Sequence, residues 1–122
     1  MKKWISVLLL FCLTSTNSCK SKIKCDCSTK TVCISFVNSS GQPIETLRLI
    51  SHGIDKTSIG QLVLNDKICM SFNSAGENTF SLVANLKNGK TIKSNEVYCE
   101  GGYKFTSIAT ESEIKISYSN SY

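Results

Sequence analysis

Residues 78–93 read NTFSLVANLKNGKTIK, and they carry the clearest structural signal in the chain. In an extended strand, four apolar side chains of this stretch fall on one face: Phe80, Leu82, Ala84 and Leu86. The dipeptide Asn88-Gly89 follows, and KTIK then begins a second run. Because Asn-Gly between two such runs is the strongest short signal for a β-hairpin, the stretch predicts two antiparallel strands joined by a tight turn.

The same period of two extends in both directions along the chain. The other runs are TVCISFVN (31–38), IETLRLI (44–50), KICMSFN (67–73), EVYCE (96–100), YKFTSIA (103–109) and EIKISY (113–118). Turn-forming residues separate them, and no segment has a convincing helical stripe. Seven or eight short strands at this spacing predict an all-β fold, an antiparallel immunoglobulin-like sandwich, with a small closed barrel as the alternative.

The alternation also predicts which side chains form the core. The apolar faces of four further strands consist of Val32, Ile34 and Phe36, of Leu47 and Leu49, of Ile68, Met70 and Phe72, and of Ile114, Ile116 and Tyr118. The single tryptophan, Trp4, lies outside these runs. We therefore expect the core to depend on four phenylalanines together with the leucines and isoleucines: Phe36, Phe72, Phe80 and Phe105.

The first eighteen residues are typical of a secretory signal peptide. Lys2 and Lys3 precede the apolar run WISVLLLFCL (4–13), and small or polar residues follow it. The run is about ten residues long, half of what a transmembrane helix needs, and no other stretch comes closer. The chain thus divides into a signal peptide at 1–18, a flexible Cys/Lys-rich tether at 19–30, and a single β-sandwich domain at 31–122.

The junction Ser18-Cys19 resembles the lipobox of bacterial lipoproteins, in which cleavage precedes a cysteine that carries diacylglycerol. In that motif a leucine usually stands three residues before the cysteine and a small residue two before, where this chain has Thr16 and Asn17. The resemblance implies lipidation of Cys19, which would anchor the exported chain to a bacterial membrane, facing the periplasm or the cell surface. Ordinary cleavage nearby would instead leave Cys19 as a further disulfide candidate.

The charge of the chain gives little support for nucleic acid as a partner. Removing Lys2 and Lys3 from the 14 basic residues leaves 12 against 9 acidic ones, a net charge of +3. Part of that excess lies in the tether, at Lys20, Lys22 and Lys24. No basic stripe with interleaved aromatic residues is present, so we expect no nucleic-acid partner.

Five cysteines are candidates for disulfide bonds once Cys12 leaves with the signal peptide and Cys19 is lipidated: Cys25, Cys27, Cys33, Cys69 and Cys99. Five is odd, so at most two bridges form and one thiol stays unpaired; the sequence does not choose among the schemes. Cys33 and Cys69 both fall on the polar faces of their strands, which makes a surface bridge between them possible. Cys25 or Cys27 could equally pin the tether to the domain through Cys99.

A soft-metal site at Cys25, Cys27 and Cys33 is the alternative use of this cluster, because thiolates select copper(I) or zinc. The spacing C-x-C-x5-C is not a standard zinc pattern, and the only histidine, His52, is remote in sequence. Disulfides are therefore the favoured interpretation, with no metal and no cofactor expected.

No recognisable catalytic constellation is present. His52 and Asp55 could join a serine in a hydrolase triad, but the chain has no G-x-S-x-G elbow, and a surface histidine is the simpler interpretation. The acidic residues mostly flank turns. The stretch EGGY (100–103) permits either a ligand site with close backbone approach or a plain strand break. We expect a protein that is not an enzyme.

Four short motifs resemble those of small bacterial lipoproteins with an immunoglobulin-like β-sandwich domain: IGQL (59–62), FNSAGEN (72–78), NGK (88–90) and YCEGGY (98–103). They cover turns and packing positions over most of the chain after the signal. The resemblance implies a fold and an envelope location, and it implies no activity.

These features lead to one functional expectation and two alternatives. The chain is expected to be a non-catalytic, lipid-anchored envelope protein that binds a protein partner, for example as a periplasmic immunity protein against a delivered toxin. The first alternative is a structural or accessory lipoprotein of an envelope complex. The second is a thiol-based metal-binding protein that uses the cluster between Cys25 and Cys33.

Overall fold

The computed structural model describes residues 27–57 and 61–121, which form nine strands. The strands are β1 Thr31–Asn38, β2 Ile44–Ser51, β3 Ile54–Thr57, β4 Lys67–Asn73, β5 Asn78–Leu86, β6 Thr91–Lys93, β7 Val97–Cys99, β8 Tyr103–Ala109 and β9 Ile114–Ser121. Within those ranges, nothing forms a helix long and apolar enough to cross a membrane. The predicted signal peptide at 1–18, the predicted lipidation site Cys19 and the disulfide candidate Cys25 lie outside the described residues.

The strands form two sheets, which confirms the predicted sandwich. The first sheet has the order β4-β1-β8-β9, and the second has the order β3-β2-β5-β6, with β7 also paired to β5. The alternative of a small closed barrel is wrong, because the described strands form two separate sheets and not one closed sheet. β3 was not expected: Ser51 and Ile54 pair across the two-residue turn at His52-Gly53, so a segment interpreted as a loop forms a hairpin instead.

The two sheets are antiparallel except for one pair. β1 runs parallel to β8, from Cys33 beside Lys104 to Asn38 beside Ala109, while it runs antiparallel to β4 on its other side. β1 and β8 therefore begin at the same end of the sandwich, which we call the N-terminal pole. The end at which β1 and β5 finish is the opposite pole.

The predicted hairpin joins β5 to β6 at the opposite pole. Leu86 N donates to Lys90 O at 2.8 Å, and Gly89 N donates to Leu86 O at 2.9 Å. Gly89 has a φ of 93°, whereas Asn88 keeps a negative φ and its side chain accepts a hydrogen bond from Lys90 N. The loop is thus a tight turn followed by a glycine bulge, and the requirement for positive φ falls on Gly89 alone.

The core contains nearly every side chain that the alternation assigned to it. The predicted apolar faces of β1, β2, β4 and β5 are all buried, as is Phe105 in β8. The exception is β9, in which Ile114 is buried and Ile116 is half-buried, but Tyr118 is 55% exposed. The apolar face of β9 therefore leaves the core toward the N-terminal pole.

At the opposite pole, Asn38 organises two loops from a fully buried position. Its amide nitrogen donates to the carbonyl oxygens of Gln42, Leu62 and Val63 at 2.9–3.2 Å. Its oxygen accepts hydrogen bonds from Ser40 N and Ser40 Oγ. One buried side chain thereby joins the backbone of two loops through hydrogen bonds and leaves none of its own polar atoms unpaired.

Candidate binding surface

Three segments meet at the N-terminal pole and line a cleft of about 720 Å³. They are residues 28–30 before β1, residues 73–76 after β4 and residues 100–101 after β7. Ser74 N donates to Lys30 O at 3.0 Å, and Gly102 N donates to Thr31 O at 2.7 Å. Because these bonds continue the ladder of β1, the walls of the cleft are fixed by the main chain.

The glycines of the EGGY stretch have a packing role. A Cβ at Gly101 would lie 2.9 Å from both Ser74 O and Thr29 O, which is too close for a carbon atom. Gly102 has a φ of 95°, and Tyr103 N donates to Glu100 O at 3.1 Å to close the turn. The stretch is a strand break between the two sheets, and Glu100 and Gly101 also line the cleft.

Three tyrosines form an aromatic cluster at the same pole, which we call the tyrosine patch: Tyr98 in β7, Tyr103 in β8 and Tyr118 in β9. The Tyr103 ring lies 6.2 Å from Tyr98 and 5.2 Å from Tyr118, with near-perpendicular planes. Tyr98 is 46% exposed. Phe105 contacts Tyr103 and Tyr118 from the core side and is itself held by Phe80. The buried phenylalanines thus hold exposed tyrosine rings at fixed angles.

Glu100 connects the patch to the cleft and makes the patch electronegative. The Tyr98 hydroxyl donates a hydrogen bond to Glu100 Oε2. That bond raises the pKa of Tyr98 well above its ordinary value, and the negative charge of Glu77 acts in the same direction. The pKa of Tyr103 is also raised, by burial first and then by the charge of Glu100. Tyr98 and Tyr103 therefore stay neutral, and the negative charge beside them comes from carboxylates.

The patch adjoins an open strand edge. β9 is the last strand of its sheet and pairs with β8 on one side, and no described strand covers its other side. It is eight residues long, whereas β6 and β7 on the corresponding edge of the second sheet have three residues each. Unpaired main-chain groups on such an edge can accept another extended segment, and the exposed Lys115 is a charge of the kind that limits non-specific pairing there.

The cysteines pair differently from the surface bridge considered above. Cys33 is bonded to Cys27, whose Cα lies 6.0 Å away, and not to Cys69. In the β1–β4 ladder Cys33 lies opposite Ser71, so Cys69 is only a diagonal neighbour, at a spacing of roughly 7–8 Å that is too long for a relaxed bridge. Cys69 is disulfide-bonded as well. Cys33 is buried despite its place on the polar face.

Among the described cysteines, Cys99 is the unpaired one, so the suggested bridge from the tether to Cys99 is wrong. Its side chain is fully buried on the core face of β7, where burial raises the pKa of the thiol to about 11. The tether is fastened through Cys33 instead, and residues 27–30, expected to be flexible, pack at the N-terminal pole. The segment from residue 27 onward belongs structurally to the domain.

Two of the three cysteines of the alternative soft-metal site, Cys27 and Cys33, are joined in a disulfide in this structure. Sulfur atoms joined in the Cys27–Cys33 bridge are not thiolates, and thiolates are the form that binds soft metals. Across residues 27–57 and 61–121, no group of three or more His, Cys, Asp or Glu side chains is placed to hold a metal ion.

His52 and Asp55 do not form the start of a triad. Asp55 instead makes a two-point ion pair with Arg48 of the neighbouring strand, with Nη2 to Oδ2 at 2.7 Å and Nε to Oδ1 at 3.3 Å. Hydrogen bonding to that guanidinium lowers the pKa of Asp55. His52 is exposed in the β2–β3 turn. This pair is a cross-strand contact on the surface of the second sheet.

The sequence pattern did not identify the tyrosine patch. YCEGGY drew attention through its glycines, and Tyr118 was assigned to a core face by its alignment with Ile114 and Ile116. A usable signal was nevertheless present: three of the four tyrosines occur in the last three strands, each within two residues of a charged or turn residue. Their convergence depends on the crossover from β7 to β8, which joins the two sheets.

Comparison with known proteins informs the fold and not the function. No protein-family model matches the chain, and no curated protein matches it significantly. The NMR structure of a protein from Eubacterium rectale is similar, with a TM-score of 0.56 and 13% identity over 78% of this chain and 94% of that one. A crystal structure from Bacteroides ovatus gives a TM-score of 0.36 and 12% identity over 75% of this chain and 43% of that one, which is too weak to support an argument.

Proposed function

We propose that this chain is a non-catalytic, lipid-anchored envelope protein that binds a protein partner through the tyrosine patch and the adjoining edge of β9. The observation that carries the proposal is the exposed pair Tyr98 and Tyr118, fixed by Tyr103 beside an open strand edge. Tyrosine is enriched in the energetically important centres of protein interfaces, and edge strands supply main-chain hydrogen bonds to a partner.

The disulfides support export. A Cys27–Cys33 bridge and a bonded Cys69 are expected of a protein that folds in an oxidising compartment. Anchoring through Cys19 rests on the lipobox resemblance. Cys27 follows the proposed lipidation site Cys19 by eight chain steps, which keeps Cys27 within about 28 Å of the lipidated residue.

Three observations support a binding role over catalysis. The free thiol of Cys99 is buried with a raised pKa, so little thiolate is available to act as a nucleophile. Asp55 accepts two hydrogen bonds from Arg48, and the exposed His52 donates none to that carboxylate. In contrast, the residues that are exposed and rigidly held are aromatic, which favours recognition.

Within this class, the specific candidate is an immunity protein that neutralises a toxin delivered into the periplasm. The features that suit it are a small exported domain, an anchor and a preformed binding patch. In the role of an immunity protein, the tyrosine patch would bind the toxin and either cover part of its surface or distort it. An accessory role in an envelope complex uses the same surface and is separated from immunity by the identity of the partner.

The test is crosslinking in the host bacterium followed by affinity capture under non-reducing conditions. The wild-type chain is compared with the variant Tyr98→Ala/Tyr118→Ala and with Ile108→Ala, which removes an exposed apolar side chain of β8 outside the patch. We expect one stoichiometric protein with the wild type and the control, lost with the double variant. An exported toxin would support immunity, and a set of envelope components would support the accessory role. Equal recovery with all three chains would refute the patch as the interface.

The anchor has its own test. Changing Cys19 to Ala removes the thiol that receives the lipid, so we expect the protein to leave the membrane fraction and become extractable in aqueous buffer. The control is Ser21→Ala, next to the tether lysines. Persistent sedimentation of Cys19→Ala with membranes in high salt would show that the lipid assignment is wrong.

A further inference from the structure

The tyrosine patch is electronegative as well as aromatic, and these two properties together define a ligand. We propose that the patch is a cation-recognition site that receives an arginine side chain carried by an extended segment of the partner. This rests on the proposed function in one respect, namely that the partner is a protein. It adds the chemical group that the patch recognises.

The geometry of the rings suits a cation. Tyr103 is inclined at 70° to Tyr98 and at 66° to Tyr118, so neighbouring rings turn their faces in different directions. A cation binds over the face of an aromatic ring, because the negative face attracts positive charge. Tyr98 is 46% exposed and Tyr118 is 55% exposed, so part of each residue is open to solvent.

Carboxylates reinforce the attraction. Glu100 accepts a hydrogen bond from the Tyr98 hydroxyl, and a carboxylate has lone pairs for further donors. Glu77 places a second negative charge near the same hydroxyl. Lys30 and Glu100 both line the cleft, so the cleft itself carries charges of both signs.

Arginine fits this combination better than other cations. A guanidinium is a planar fork that can bind a carboxylate at two points while it stacks on an aromatic ring. A quaternary ammonium group, as in choline lipids, has no donor for Glu100. The neighbouring edge of β9 favours an extended peptide as the carrier, since added strands present alternate side chains to one face.

The proposal is tested with the purified protein, its tyrosines labelled with carbon-13, and two acetylated five-residue peptides. Both carry valine at alternate positions; one has arginine at its centre and the other has citrulline, which keeps the shape without the charge. We expect the arginine peptide to shift the ring signals of the patch and to bind about tenfold more tightly, a difference of about 1.4 kcal/mol. Equal affinity for the two peptides would overturn the proposal.

Matched variants assign the contacts. Glu100→Gln keeps an acceptor for Tyr98 and removes the charge, so it should reduce the arginine preference to within about threefold, a change of roughly 0.7 kcal/mol in discrimination. Glu111 is an exposed acidic residue at the opposite pole, so Glu111→Gln is the charge-matched control and should leave the preference for the arginine peptide unchanged. An unchanged preference in Glu100→Gln would refute the role of that carboxylate. Tighter binding of tetramethylammonium than of the arginine peptide would refute arginine as the ligand.

The two proposals can fail separately. If capture in the host depends on the tyrosines but the arginine peptide does not bind, the protein-partner proposal stands and the arginine assignment is wrong. If the arginine peptide binds but no protein is captured, the cation site stands and the proposed function is wrong.

Discussion

The two poles of the sandwich use polar and aromatic side chains in opposite ways. At the opposite pole, Asn38 is fully buried and its hydrogen-bonding atoms are all engaged by neighbouring loops. At the N-terminal pole, Tyr98 and Tyr118 are about half exposed, and each packs against the ring of Tyr103. Asn38 has its hydrogen-bond partners within the chain, whereas we propose that the exposed tyrosine rings bind a partner outside it.

This contrast distinguishes structural residues from binding residues without reference to any relative. A buried polar network is costly to disturb, because each lost contact leaves an unsatisfied group away from water. Removing a half-exposed ring that packs against other rings should change the free energy of unfolding only slightly. The poles should therefore respond differently to substitution.

The largest effect is expected at Asn38. Asn38→Ala removes hydrogen bonds to Gln42, Leu62 and Val63, and should lower the free energy of unfolding by about 3 kcal/mol in urea denaturation. Ser39→Ala changes the adjacent exposed side chain and should stay within about 0.5 kcal/mol of the wild type. A loss below about 1 kcal/mol for Asn38→Ala would contradict the structural role given to this pole.

The bridge at the N-terminal pole should have the next largest effect. Cys27 and Cys33 are six residues apart, so Cys27→Ala/Cys33→Ala should lower the free energy of unfolding by roughly 2 kcal/mol in the chain-entropy account. Hydrogen exchange at residues 28–30 should quicken as well. Cys99→Val removes the free thiol and keeps the bridge, and should cost less than about 1.5 kcal/mol. If the double variant matched the wild type in both measurements, the bridge would not fasten this pole.

The hairpin at the opposite pole gives a smaller effect. Gly89→Val places a β-branched residue at a φ of 93° and should cost about 1 to 2 kcal/mol, seen as a lower melting temperature. Gly89→Asn should cost less, because asparagine tolerates left-handed backbone. Lys87→Val, in the same loop at a negative φ, is the control for side-chain chemistry. Equal melting temperatures for Gly89→Val and Lys87→Val would argue against the turn.

The smallest effect on stability is expected at Tyr118. Tyr118→Ala removes ring contacts with Tyr103 and Phe105, but the residue is 55% exposed, so the loss should be about 1 kcal/mol. The same variant should nevertheless weaken arginine-peptide binding. A large loss of stability would place Tyr118 with Asn38 among the structural residues and would remove the contrast between the poles.

Much of the fold could be predicted from the sequence because its signals are local. Alternation in β1, β2, β4 and β5 correctly assigned the buried faces, and Asn88-Gly89 correctly placed the hairpin. Alternation predicted the wrong burial for Tyr118, because β9 extends beyond the core at that residue. Local rules also failed at Asn38, where a turn-forming residue is the buried organiser of two loops.

By itself, the sequence determined an all-β chain, the faces of its main strands, one tight turn and an odd number of candidate cysteines. The tertiary structure decided the rest: the parallel pairing of β1 with β8, the bond from Cys33 to Cys27, the isolation of Cys99, and the meeting of three tyrosines from two sheets. The physical reason is that a period of two fixes the side of a strand on which a residue lies. It does not fix the neighbouring strand, because strand order depends on crossovers between residues far apart in the chain.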